Sequence, residues 1–210
     1  MLVDIVEDEN DEEGTPKRYD EWSTLSLVFV MGILVAMFAV VVLATVPFAT
    51  LLGPSAYALG AALHGLTAFI LLVNVTIGLY LGWRLFMGRI GAFPDLQIVT
   101  TVMATLSFLT IASGNWIYMA YRADTPDSPR SYFLATMPDV HNIFFEFKAF
   151  TALFTLPLSV AAAFIAWRYG REIVERGWTR RAMAVLIALC FFYFTMVFGL
   201  GAAVTKLKAI

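Results

Sequence analysis

Cysteine and histidine are nearly missing from this sequence. One cysteine, Cys190, cannot form an internal disulfide, and it excludes C-x-x-C and paired-thiolate metal sites. Only two histidines occur, His64 and His141. No G-x-S-x-G, H-E-x-x-H or glycine-rich phosphate loop is present, so hydrolase and transferase chemistry has no visible carrier. Charge is scarce as well. Asp, Glu, Lys and Arg make up 14% of the chain, where a soluble domain has roughly 25%. There is no dense basic patch, which argues against a nucleic-acid partner. No internal repeat is visible.

What is abundant is apolar surface. Of 210 residues, 60% are hydrophobic and 15% aromatic, including 18 Phe. A water-soluble domain of this length could not bury that much. The sequence therefore predicts an all-α integral membrane protein with a lipid bilayer as its solvent. Five segments reach the roughly 20 residues needed to cross the hydrocarbon. They cover about 25–46, 57–86, 98–121, 140–167 and 182–204. Breakers separate them: Pro47 and Pro54, then Gly88, Gly91 and Pro94, then Pro126, Pro129 and Pro138, then Gly170 and Gly177. The expected bundle of five transmembrane helices forms one membrane domain, 23–210.

Residues 1–22 differ from the rest. They carry nine acids against two bases, a net of −7, while the remaining residues carry +5. This composition predicts a disordered cytoplasmic tail. The leading region is acidic, so the first segment reads as a span and not as a cleaved signal peptide. Tyr19 and Trp22 would mark the headgroup level. With five spans, nine Lys and Arg fall on the N-terminal side and four on the other. That bias places the N-terminus inside and the C-terminus outside, with the plasma membrane as the expected location. Segment 168–181 is a basic collar suited to anionic lipid.

Ionisable groups inside spans are costly and are therefore site candidates. The fourth segment holds Asp139, His141, Asn142, Glu146, Lys148, Thr151 and Thr155. At 100° per residue, Asp139, Asn142 and Glu146 fall on one side, with His141, Lys148 and Thr155 roughly opposite. Glu146 and Lys148 then need partners on different neighbours, and the helix is expected to be packed on both faces. In the second segment Gly60, His64, Thr67, Asn74, Gly78 and Gly82 share an arc of about 80°. Such a stripe suits a close helix–helix interface. In the third, Ser107, Gly114, Tyr118 and Tyr121 share a face, whereas Asn115 and Trp116 do not. Trp116 and Tyr121 read as interfacial anchors. Arg122 is a candidate counter-ion for Glu146 or Asp139.

Both histidines fall toward one end of the bundle, at depths differing by roughly 8 Å. Two histidines on two spans can ligate one b-type haem, with glycines and aromatics admitting the porphyrin. At that level the chain resembles small integral-membrane b-type cytochromes. The resemblance implies His64 and His141 as axial ligands. Lys148 and Arg122 (or Arg130) would meet the propionates, Phe144, Phe145 and Tyr118 would pack on the ring, and Asn74, Tyr118, Asp139 and Glu146 would be structural polar groups. The implied function is an electron-transfer subunit of a respiratory complex, exchanging electrons with quinol or a soluble outer donor.

Two other readings stay open. One is a non-catalytic structural or assembly subunit of a membrane complex, with the acidic tail as a docking arm. The other is a proton-linked transporter or channel lined by Glu146, Lys148, His141 and Asn74. It lacks the inverted repeats of transporters. A metal site of His64, His141, Asp139 and Glu146 would need the fourth helix to be broken.

Overall fold

The computed structural model describes residues 56–91, 93–123 and 125–207. The first expected span, the acidic tail and its aromatic anchors lie outside the described residues. Within them the chain is helical, with no strand. The elements are α1 (Ala56–Phe86), α2 (Phe93–Tyr121), α3 (Pro129–Thr136), a π-helix (Val140–Phe145), α4 (Glu146–Ala152), α5 (Thr155–Tyr169), α6 (Glu172–Glu175) and α7 (Gly177–Leu207). Four stretches are long and apolar enough to cross a membrane: Leu59–Phe86, Phe93–Met119, Val140–Tyr169 and Gly177–Leu207. Helices are the solution apolar sequence takes in lipid, because each backbone polar group finds its partner within the segment.

Local chemistry explains the ends. After α1, Gly88 takes φ +69°, which a side chain would resist. The Gly88 N–H donates to the Leu85 carbonyl (2.8 Å), and the Arg89 N–H to that of Arg84 (2.9 Å). That pair of bonds is a Schellman stop. Pro94 was expected to separate spans, but it sits in the first turn of α2, where a missing N–H costs nothing. The third span consequently starts five residues earlier than hydropathy placed it. Pro129 likewise opens a helix, the short α3 in the 122–139 connection, with Ser128 as its cap.

The fourth span is broken twice. It opens with the π-helix, and it is interrupted at Leu153 and Phe154. Pro157 explains the second break. It offers no N–H to the Leu153 carbonyl, and its ring crowds that carbonyl.

The long elements pack in a ring: α1 on α2, α2 on α5, α5 on α7, and α7 on α1. The core holds Leu71 and Val75 of α1, Val99 and Met103 of α2, Ala162 and Ala166 of α5, and Ile187 of α7. The fourth span was expected to be central. Instead, among the described residues α7 has the most neighbours, and Phe147, Phe150 and Phe164 of the fourth span are exposed. Trp83, Trp167 and Trp178 are exposed at the end that carries the basic collar, while Trp116 is exposed toward the other, loop end. These are the places where indole rings suit a membrane–water interface.

The stripe on α1 is a helix–helix interface, as its spacing predicts. A Cβ at Gly78 would lie 2.6 Å from Met103 Cε, 3.5 Å from Val99 Cγ1 and 3.6 Å from Ile187 Cγ2. Alanine needs only the end of Met103 to move. Gly78→Leu forces α1 away from two neighbours at once. We expect it to destabilise the bundle by ~1–3 kcal/mol, read as a lower unfolding midpoint in detergent.

Candidate functional site

Between α1, α2, the fourth span and α7 lies a cavity of about 600 Å³. Its origin follows from the two breaks. On the collar side of Pro157, α5 packs on both α2 and α7. On the loop side, the π-helix and α4 lean mainly on α7. Side-chain contacts of Tyr118 with Glu146 and of Tyr121 with His141 bridge the gap to α2. Along α7 the lining runs from Phe194 to Thr205, about 16 Å of helix. The walls are mostly apolar, and His64, Tyr118, Glu146 and Lys148 converge on the space. That size and mixture are those of a small-molecule or cofactor pocket.

His64 is held from α2. Its Nδ1 lies 3.0 Å from the Thr110 carbonyl oxygen and 3.3 Å from Ser113 Oγ. A carbonyl only accepts, so the Nδ1 position carries the proton. In the neutral ring Nε2 is then the basic nitrogen. Gly114 makes this possible, because a Cβ there would lie 3.0 Å from His64 Cε1. The small residue in the Gly114 face is therefore a cradle for the imidazole.

Lys148 reaches into the cavity from α4. Its Cε lies 3.1 Å from where a Cβ of Gly201 would stand, and its Nζ is 5.5 Å from the Phe145 ring centroid. No carboxylate among the described residues pairs with it. An amine so placed in a membrane span can serve an anionic group in the cavity.

The π-helix changes the arrangement expected of the fourth span. In a straight α-helix His141 and Glu146 point roughly opposite ways. The Glu146 N–H instead bonds the His141 carbonyl, an i→i+5 closure. That places residues 141 and 146 one above the other. His141 Nε2 is 3.7 Å from Glu146 Oε1. The two separate polar stripes are therefore not formed here, because their angles assumed an unbroken helix.

Glu146 Oε1 also accepts a hydrogen bond from the Tyr118 hydroxyl at 3.0 Å. Tyr121 Oη is 3.0 Å from His141 Nδ1. Phe145 stacks on Tyr121 with centroids 4.1 Å apart and an interplanar angle of 3°. His141 and Tyr121 are buried, each 3% exposed. Thus Tyr118, Glu146, His141 and Tyr121 form one connected set at the loop end. His64 and Lys148 face the cavity, but His141 does not line it. The structure does not bring the two histidines together on one space.

The remaining sequence candidates are dispersed. Arg122, a candidate counter-ion, lies over the Tyr118 ring at 5.2 Å, and Glu146 has Tyr118 and His141 as its contacts. Asp139 is exposed just before the π-helix, with no capping bond from its side chain. Asn74 is buried in α1, and neither side-chain polar atom has a hydrogen-bond partner among the described residues. Asn115, which was expected on another face, lines the cavity with Tyr118. Sequence reasoning missed the roles of Thr110, Ser113 and Gly201. The usable signal was Pro157, whose kink opens the space they surround. No protein family, curated protein or solved structure matches this chain.

Proposed function

We propose that the chain is an electron-transfer subunit of a respiratory complex in the plasma membrane, holding one b-type haem in the cavity. The observation that carries this reading is His64. Its Nδ1–H is fixed by the Thr110 carbonyl, which leaves Nε2 as the coordinating nitrogen in a wall of the cavity. Ligating histidines are held by such second bonds as a rule. When bound, the haem iron would pass electrons one at a time between quinol, or a soluble outer donor, and the rest of the complex.

The residues divide the work. His64 supplies the protein ligand. His141 has both nitrogens facing other groups, so the reading carries one histidine ligand instead of the two that the resemblance implies. Lys148 offers its ammonium to a propionate, an anion the cavity otherwise lacks a reason to attract. Phe194, Phe198 and Phe145 give apolar walls that keep water from the ring. The N-terminus is inside in this reading, with the collar of arginines at the cytoplasmic face.

Titration of hemin into the detergent-solubilised chain tests the proposal. One equivalent should bind with a sharp Soret band. His64→Ala should abolish the band, and His141→Asn should retain it. Equal binding by the wild type and His64→Ala would overturn the assignment.

A second reading, a structural subunit of a larger complex, has one observation in its favour. Phe147, Phe150 and Phe154 form an exposed stripe on the fourth span, 50%, 64% and 45% accessible among the described residues. A partner subunit that co-purifies and protects this stripe from labelling would favour it.

A further inference from the structure

The set around the π-helix has a chemistry the cavity does not use. Tyr121 and His141 meet in a pocket closed by Phe133, Phe145 and Val204. The His141 Nε2 position faces the Glu146 carboxylate, which can only accept. That favours the proton on Nε2 and leaves Nδ1 to accept from the Tyr121 hydroxyl. The arrangement is a phenol, a base behind it, and a third group orienting the base.

We propose that Tyr121, His141 and Glu146 form a proton-coupled electron-transfer unit. A high-potential one-electron oxidant, such as an oxidised metal centre, removes an electron from the Tyr121 phenol. The O–H bond breaks, and its proton forms a new N–H bond at His141 Nδ1. A neutral tyrosyl radical and an imidazolium remain. Return of one electron from a reductant of the same class reverses both transfers.

Burial is what makes the partner necessary. Electron loss without proton loss would leave a cationic phenol in an apolar site, and an unpaired buried charge is costly. Moving the proton across the 3.0 Å hydrogen bond to His141 avoids this. The positive charge then sits on an imidazolium beside the Glu146 carboxylate. Tyr118 from α2 donates to the same carboxylate oxygen. Arg122, just after α2, and Arg130 of α3 are cations facing His141, and α7 contributes the apolar Val204. Lys148 lies on the same span, over the Phe145 ring. The Tyr118, Tyr121 and Phe145 rings are stacked within 12° of parallel, which holds the Tyr121 phenol in place against His141.

Flash photolysis of the haem-free, full-length chain in detergent tests this directly. The oxidant is photo-generated ruthenium(III) tris-bipyridyl, with persulfate as electron acceptor and electron paramagnetic resonance as the readout. The expected signal is a neutral tyrosyl radical with one strong exchangeable proton coupling that vanishes in deuterium oxide. Tyr121→Phe should remove that signal at least tenfold. His141→Asn should lower its yield at least tenfold near neutral pH and make the remainder grow with pH, since bulk base must then take the proton. Glu146→Gln keeps an acceptor oxygen but no charge, and should lower the yield with the fold intact. If His141→Asn does not fold, the deuterium effect and Glu146→Gln still decide. A radical that is absent, that survives Tyr121→Phe, or that lacks the exchangeable coupling overturns the proposal. The chain is free of haem throughout, so failure here is distinct from failure of the haem reading.

Discussion

Replacing Gly114 by leucine is expected to disable the cavity while leaving the span pattern in place. The reason is the distance between α2 and the imidazole. A Cβ at 114 would already lie 3.0 Å from His64 Cε1 and 3.3 Å from Nδ1. The ring cannot retreat without giving up the Thr110 carbonyl, and that bond sets which nitrogen is free. Leucine would add volume to a residue that lines the cavity. Overpacking should cost ~1–3 kcal/mol in stability. Loss of the orienting bond should weaken hemin binding about 10–100-fold, the usual effect of removing a second-shell partner. Titration and thermal unfolding read the two effects separately. Wild-type affinity in Gly114→Leu would show that the His64 geometry does not matter to binding.

The second large effect is a contrast between two deletions in the same span. Removing one residue from an α-helix turns everything beyond it by about 100°. Deleting Ala161 should carry Ala162 and Ala166, both fully buried, out of their interface in α5. The loss should exceed ~4 kcal/mol, enough to prevent recovery of folded protein. Deleting Asn142 should be tolerated. It is exposed and lies inside the π-helix, where one residue is surplus to α-helical winding. His141 and Glu146 would then stand four apart in an ordinary helix, still on one face. Yields of folded protein in detergent compare the two. Equal loss in both would mean that the π-helix is not an inserted residue in an otherwise regular span.

That contrast also shows where the sequence was legible. Hydropathy located all four described spans, because membrane-length apolar runs have few alternatives. The α1 stripe was readable for a similar reason. Its helix is regular, so angles computed at 100° per residue hold from Gly60 to Gly82, and the stripe meets α2 and α7. The fourth span was misread because the same arithmetic was carried through a π-helix. At 100° per residue His141 faces away from Glu146, whereas the π-helical winding over 140–145 brings them together. Nothing in V-H-N-I-F-F announces i→i+5 bonding. It becomes understandable only from the packing of His141 against the stacked Tyr121 and Phe145 rings, since tertiary contacts offset poorer backbone geometry. Pro94 was misread for the opposite reason. Proline breaks helices in their interior but is at home in a first turn, and hydropathy does not distinguish the two.

The candidate site follows the same division. His64, Lys148, Tyr118 and Glu146 were found as polar groups in spans, and all four line the cavity. Their grouping was not legible, since it depends on how far α4 stands from α2. Pro157 carried that information and lay in plain view. The proline kink, the π-helix and the cradle at Gly114 together explain why His64, Lys148, Tyr118 and Glu146 line one cavity.

The absorption spectrum of the chain as purified from the membranes of its expression host tests the central claim most directly. The expected result is a Soret band that shifts on reduction, at one haem per chain, present in His141→Asn and absent in His64→Ala. A colourless, correctly folded protein from haem-replete cells would contradict it.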